Sequence, residues 1–409
     1  MSDLSEIIFI VGDGSRLDSI PSAHLRAPFA DESLEFAQTV SSNLLSDPDA
    51  RRYPELVALG FWLRKASLSR MADRWRSGVA DGVLHLPRGT VFHIAPANVD
   101  TIFVYSWFLS LLAGNRNIMR LSTRSSPQVI ALERVVTTGL SDLRHASVAQ
   151  GTVICRYDRS DVVTRRLSAV CDTRIIWGGD ASVTAIRAIP LKPSANEVAF
   201  PNRQGLAIVG ARSFVEANPA IRAEVARSFA LDSYVFGQAA CSSPRVLCWL
   251  GAADAEEAQS LFWPLLRDAV AKIDHGIDPA MLVTKRIAAD RLAISGEATT
   301  VSDDDPLMVR LGVSVDVAID RLRNGDDTAG GFFFETIVDD IETLLCGLTS
   351  RTQTLVHWGV DRARLASSMA ARIPEGPLRV VPIGFALNFS HYWDGYDLFD
   401  VLLRKVPLA

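Results

Sequence analysis

The stretch Phe236-Gly237-Gln238-Ala239-Ala240-Cys241-Ser242-Ser243-Pro244-Arg245 sets one cysteine among small residues, between a helical pattern and the apolar run Val246 to Leu250. Small neighbours leave a thiolate open to a carbonyl carbon, and backbone N–H groups of a turn can hold its charge. Taken alone, such a cysteine reads more readily as a buried small hydrophobe. Two other stretches bear on the choice: Gly89-Thr90-Val91-Phe92-His93-Ile94-Ala95-Pro96-Ala97-Asn98 and Trp177-Gly178-Gly179-Asp180. Each sits where an apolar run gives way to turn residues.

These turns need elements to position them. Val91 to Ile94 is strand-like and stops at Pro96; Val99 to Ala113 reads as a buried helix ending at Gly114. Strands follow at Asn117 to Leu121, Thr152 to Tyr157, Thr173 to Trp177 and Leu206 to Val209, with helical patterns at Pro127 to Leu140, Asp161 to Cys171 and Ala181 to Ile189 between them. This alternation predicts right-handed βαβ units and a parallel sheet. Ligands of such sheets lie at the carboxyl ends of the strands, where the Ala-Pro-Ala-Asn, Ser-Thr-Arg and Gly-Gly-Asp turns fall. Residues 1–88 read as mostly helical, with Tyr53 to Trp75 the clearest amphipathic case. From about residue 203 a second α/β unit begins: helices at Pro219 to Leu231 and Ala255 to Ile273, strands at Phe332 to Val338, Gln353 to His357 and Arg379 to Pro382. Asp303-Asp304-Asp305-Pro306 lacks the alternating ligands of a calcium loop and reads as a solvated turn.

A chain of 409 residues is too long for one core and suits two domains. With 48% hydrophobic and 22% charged residues the composition is that of a soluble globular enzyme. A net charge of -5 argues against a nucleic-acid partner. The longest apolar stretch, Ile102 to Ala113, is too short for a transmembrane segment. No basic region precedes an N-terminal apolar run, so a secretory signal is not expected. Five cysteines, odd in number and without a CxxC pair, suit free thiols in a reducing cytoplasm. The seven histidines form no HExxH or HxxxH pair, and no metal site is expected.

In order along the chain, the turn at Pro96-Ala97-Asn98, the Gly178-Gly179 pair and a cysteine about 60 residues later resemble the aldehyde dehydrogenase superfamily. The finer pattern is similar to the LuxC-type acyl-CoA reductases. It includes Gly114-Asn115-Arg116-Asn117-Ile118-Met119-Arg120-Leu121-Ser122, Ile176 to Asp180 with Ala185-Ile186-Arg187, Gln238 to Pro244, and Phe389 to Gly395. The resemblance covers most of residues 89–409 and leaves 1–88 unmatched.

The resemblance implies an α/β fold, a Rossmann-type cofactor domain plus a second α/β catalytic domain. The boundaries are 1–202 for the N-terminal helices and cofactor domain, 203–385 for the cysteine domain, and 386–409 for a segment returning to the cofactor domain. It implies that Cys241 takes up the acyl group of a thioester, a fatty acyl-CoA or an acyl-protein, and that hydride from a nicotinamide releases an aldehyde. Asn98 and the Cys241 backbone N–H then hold the developing oxyanion; the alternative for Asn98 is a plain turn residue. Ile94, Pro96, Arg120, Ser122, Arg124, Trp177, Gly178 and Gly179 fall at the cofactor positions. Gly178-Gly179 lets a pyrophosphate approach backbone N–H groups, or is simply a strand-to-helix turn, with Asp180 as the helix N-cap. Where NAD-preferring relatives carry an acid, this chain has Thr123 between Arg120 and Arg124. That favours NADPH, with NADH the alternative, unless the arginines are incidental surface residues.

The chain also departs from the superfamily. Phe200 to Leu206 has no carboxylate where oxidative relatives place a general base, which fits a reductase. Glu335 lies inside a strand pattern and is not given the ribose-binding role. His93 reads as a core residue. Gln238 either orients Cys241 or caps the helix; His391 and Asp394 line a substrate mouth or anchor the tail. An acid-forming dehydrogenase and an acyl-transfer subunit without redox activity are the rival readings. The family implies homo-oligomers and work beside an acyl-activating ligase.

Overall fold

The computed structural model describes residues 6–96, 102–123, 126–273, 275–325 and 328–408. The chain divides into two compact units, residues 1–201 with 396–409, and residues 202–395.

The first unit holds β1 (Ile8–Val11), β2 (Val83–Pro87), β3 (Thr90–Ile94), β4 (Arg116–Leu121), β5 (Thr152–Arg156), β6 (Thr173–Trp177) and β7 (Asn196–Phe200). Six of them form one sheet in the order β1-β5-β4-β3-β6-β7. β3 to β7 run parallel and β1 is antiparallel to β5. Every residue of β3 and of β6 is buried, as expected of strands covered on both faces. β2 stands apart and pairs antiparallel with the strand Leu403–Pro407, which brings the C-terminal segment into this unit.

The second unit contains β8 (Gln204–Gly210), β9 (Pro244–Leu250), β10 (Ala298–Asp305), β11 (Met308–Val313), β12 (Phe332–Val338), β13 (Thr352–Trp358) and β14 (Arg379–Pro382). They form one sheet in the order β10-β11-β12-β9-β8-β13-β14. All pairings are parallel except β10 with β11. One face packs Phe214, Phe229, Trp249 and Phe262 into an aromatic core; the other buries Leu206, Ile208, Val246 and Leu355.

Four expectations are corrected. The segment Tyr53 to Trp75 is two helices, Pro54–Trp62 and Lys65–Ser77, because Arg64 turns to extended backbone between them. Residues 1–88 also contain β1 and β2. The strand at 206–209 belongs to the second sheet as β8, and the last parallel strand of the first is β7. The acids at 303–305 close β10 rather than forming a turn, and they are paired: Asp303 with Arg286, Asp304 and Asp305 with Arg267.

Candidate active site

Cys241 lies in the turn between the helix Pro219–Tyr234 and β9. Asn218 caps that helix by accepting from Ile221 N at 2.9 Å, with Pro219 in the first turn. The chain leaves it through two consecutive left-handed residues, Gly237 (φ 55°) and Gln238 (φ 64°). A non-glycine residue rarely holds that conformation without compensation, and here the Gln238 side chain supplies it. Its Nε2 donates to Pro244 O (2.9 Å) and Phe332 O (3.0 Å), while its Oε1 accepts from Gly331 N (3.0 Å) and Phe332 N (2.8 Å). A buried primary amide can make four such bonds. Gln238 thus ties the cysteine turn to the start of β12, and its amide bonds neighbouring backbone rather than capping the helix.

The turn also presses against β8. A Cβ on Gly205 would fall 2.4 Å from Ser243 O and 2.7 Å from Ser242 O, so only glycine fits. Ser243 Oγ donates to Asp232 O at 2.8 Å. Cys241 therefore sits at the amino ends of β8 and β9, where Gly205 pairs with Pro244.

Cys241 is half-buried. Burial of the thiol pushes its pKa up to about 12, the Asp394 carboxylate adds to the rise, and Arg203 and the backbone N–H groups of Cys241 and Ser242 oppose it. The N–H groups expected to favour a thiolate are present, yet desolvation outweighs them. At neutral pH the resting group is the thiol. Asp394 is buried with φ 50° and accepts from Arg203 Nε at 2.6 Å and from Gln353 Nε2 at 2.8 Å. Arg203 also donates to Ser350 O. Sequence reasoning gave Asp394 two coarse readings and missed Arg203 and Gln353. The only signal for Arg203 was its place in the segment read for a missing carboxylate.

Glu335 accepts from the indole N–H groups of Trp249 (2.6 Å) and Trp263 (2.9 Å), a core tie between strand and helix. His93 is wholly buried, with Nδ1 bonded to Ser106 Oγ (2.9 Å) and Nε2 to Asn117 Oδ1 (3.0 Å); burial lowers its pKa to about 4. Both are structural residues. His391 packs against the Tyr392 ring.

In the first unit, the residues expected at a cofactor gather at the carboxyl ends of β3, β4 and β6. Ile94 and Pro96 are buried, and Ala95 N donates to Arg120 O at 3.0 Å. Arg120 Nη2 donates to Tyr157 O (3.2 Å) and the guanidinium lies 5.3 Å from the Tyr157 ring centre. Ser122 is buried, its carbonyl accepting from Arg156 Nε at 2.9 Å; Thr123 is exposed. Trp177 stacks on Phe200 with ring centres 3.9 Å apart. Gly178 N donates to Phe200 O at 3.2 Å. Gly179, not Asp180, is the N-cap of the helix Asp180–Arg187. Neither glycine has positive φ. A Cβ on Gly178 would meet only Ser182 Cβ at 3.6 Å, and one on Gly179 nothing within 4 Å. Asn98 and Arg124 lie outside the described residues. Among the described residues no cluster of His, Cys, Asp or Glu is arranged to hold a metal ion, and no helix is long and apolar enough to cross a membrane.

Comparison with known proteins fits this architecture. No curated protein matches the chain. Among solved structures, the NAD-dependent benzaldehyde dehydrogenase of Corynebacterium glutamicum is similar at 15% identity and a TM-score of 0.63, over 95% of this chain and 87% of that one. The indole-3-acetaldehyde dehydrogenase of P. syringae, solved with NAD+, gives 13% and 0.66 over 96% and 86%. The glyceraldehyde-3-phosphate dehydrogenase of Methanocaldococcus jannaschii, complexed with NADP, gives 10% and 0.65 over 96% and 92%. At these identities the likeness establishes the fold. The family description acyl-CoA reductase (LuxC) matches residues 67–277, more than half the chain and inclusive of both glycines and the cysteine turn. The chain belongs to the LuxC family of acyl-CoA reductases, an aldehyde-related oxidoreductase on the aldehyde dehydrogenase fold.

Proposed function

We propose that the protein reduces an acyl thioester, a fatty acyl-CoA, to an aldehyde with NADPH, through an acyl group carried on Cys241. The observation that carries this reading is the turn that presents Cys241, fixed by Gln238 and by the close approach of Gly205, in a chain of this family.

Cys241 Sγ attacks the thioester carbonyl carbon; the bond to the CoA sulfur breaks, and CoA leaves as its thiol with the proton from Cys241. The resting thiol must lose its proton as it attacks, a step that Arg203 and the Cys241 and Ser242 N–H groups assist. The family resemblance gives Asn98, outside the described residues, as the further amide donor for the carbonyl oxygen. A nicotinamide, when bound, supplies the hydride that the acyl carbon needs. Cys241 is then released from the carbon as the aldehyde forms.

The cofactor reading fits the edge of the first sheet. Gly178 and Gly179 need to be glycine for neither backbone conformation nor internal packing, which leaves close approach by an outside group, such as a pyrophosphate, as their use. Ile94, Pro96 and Trp177 are buried at the ends of β3 and β6, and Arg120 and Ser122 lie at the end of β4. Arg120 with Arg124, and no acid at Thr123, favours NADPH over NADH. The acid-forming alternative needs a free carboxylate to activate water. Among the described residues, the acid that acts on Cys241, Asp394, has both oxygens engaged by Arg203 and Gln353.

The test is incubation of the full chain with a labelled acyl-CoA, followed by peptide mass mapping and aldehyde detection with NADPH. The label should sit on Cys241, and Cys241→Ala should abolish both acylation and aldehyde while leaving the melting temperature nearly unchanged. A stable adduct on Cys155, Cys171, Cys248 or Cys346 instead would overturn the assignment.

A further inference from the structure

The end of the second sheet that carries the Cys241 turn also holds a buried ion pair. Arg203 leads into β8, and two residues on Gly205 touches the carbonyls of Ser242 and Ser243. Asp394 comes from a segment 191 residues away and is held against Arg203 at 2.6 Å, with side-chain exposures of 12% and 2%. Gln353, at the start of β13, fixes the other carboxylate oxygen at 2.8 Å and is itself held by Thr354 Oγ1 at 2.8 Å. Thr354 pairs with Gly205 in the sheet. The segments that lead into β8 and begin β13 thus hold one cation and one anion at the end of the sheet that carries the Cys241 turn.

We propose that the Arg203–Asp394 pair is the positioning element that governs the charge state of Cys241, with Arg203 favouring the thiolate and Asp394 both orienting Arg203 and restraining it. The purpose of this element rests on the reading of Cys241 as the nucleophile. Charges in a water-poor turn act strongly on one another, and the two groups act with opposite sign on the sulfur. Among the described residues, Arg379 also acts on Cys241, and Arg245 donates to Gln238 O in the same turn at 3.2 Å. The Arg379 donors go to the carbonyls of Phe385, Ala386 and Asn388, it lies over the Trp393 ring, and Asp232 balances it. Arg379 keeps these carbonyl bonds, but Asp232 beside it titrates near 7, so each variant is compared with the wild type at the same pH to isolate the Arg203–Asp394 pair.

A pair that only anchored the tail would, when broken from either side, disturb the turn in the same way. The proposal requires opposite effects. The readout is the rate at which iodoacetamide alkylates Cys241, followed by peptide mapping against pH in the full chain. Asp394→Asn should speed alkylation at neutral pH by about threefold to tenfold and move the inflection to lower pH. Arg203→Met should slow it by a similar factor and move the inflection up; Arg203→Lys should restore most of the rate. If Arg203→Met does not fold, Arg203→Lys and Asp394→Asn decide the matter. An Asn variant that alkylates no faster than the wild type, or variants that all shift one way, overturns the proposal. The assay is independent of acyl transfer. Opposite shifts at a Cys241 that never accepts an acyl group would leave the charge pair standing and remove the proposed reaction.

Discussion

Asp232 shows how one residue can couple the cysteine turn to solution conditions. It is buried, and its carboxylate accepts from Gly384 N (2.6 Å) and Ala386 N (2.9 Å), holding the loop after β14. Burial raises its pKa to about 7, against the pull of those N–H groups and of Arg379. The folded state therefore keeps this proton over a range in which the unfolded chain has lost it. Stability contributed here falls as pH rises from about 4 to about 7, and is level outside that window. Asp232→Asn removes the titration. In denaturant titrations across that window, the wild type's margin over Asp232→Asn should shrink by up to about 4 kcal/mol toward neutral pH. A margin that does not vary with pH would show that the carboxyl does not titrate there.

At the scale of elements, the cofactor preference proposed above is tested in the loop after β4. Arg120 is held by the Tyr157 carbonyl and ring, so the test leaves it in place and varies Thr123 and Arg124. Thr123→Glu with Arg124→Ala should move the ratio of NADPH to NADH dissociation constants toward NADH by roughly tenfold or more. The measurement is fluorescence titration of both reduced cofactors at fixed salt, and an unchanged ratio would take the choice away from this loop. The strands that frame the loop were legible in the sequence. β3 to β6 each carry a short apolar core between turn residues, and their limits were found almost to the residue. β7 begins Asn196-Glu197, and β10 is the mostly polar edge strand Ala298 to Asp305; neither has the pattern that marks a strand. The cysteine turn was legible for the same local reason: small residues flank it. The Arg203–Asp394 contact was not, because nothing local relates residues 191 positions apart. Gln238 was noticed, but its four bonds reach β9 and β12, and only the folded sheet defines them.

Across the whole chain, the first unit is completed by residues from the far end. Leu398, Phe399, Leu402 and Leu403 are buried there. The Phe399 ring lies 5.3 Å from Phe29 and 6.3 Å from Trp75. Asn115 Nδ2 donates to Leu402 O at 2.9 Å, and Asn196 Nδ2 to Val401 O at 3.2 Å. Removing residues 396–409 should cost the first unit several kcal/mol, comparable with the whole margin of a domain. In limited proteolysis of the truncated chain, cleavage should concentrate within residues 6–201 and spare 202–395. Equal resistance of both halves would contradict this.

The pairing of β2 with Leu403–Pro407 also sets a timetable. On the ribosome, residues 83–87 emerge long before their partner, with all of residues 202–395 synthesised in between. Until then β2 presents an unpaired edge with Leu84 and Leu86 on one side, the kind of edge that recruits other strands. The second unit has its seven strands in hand while the first still waits for its final pairing. Completion of the first unit is therefore a late event of synthesis, and chaperone dependence in this protein should trace to the wait at β2.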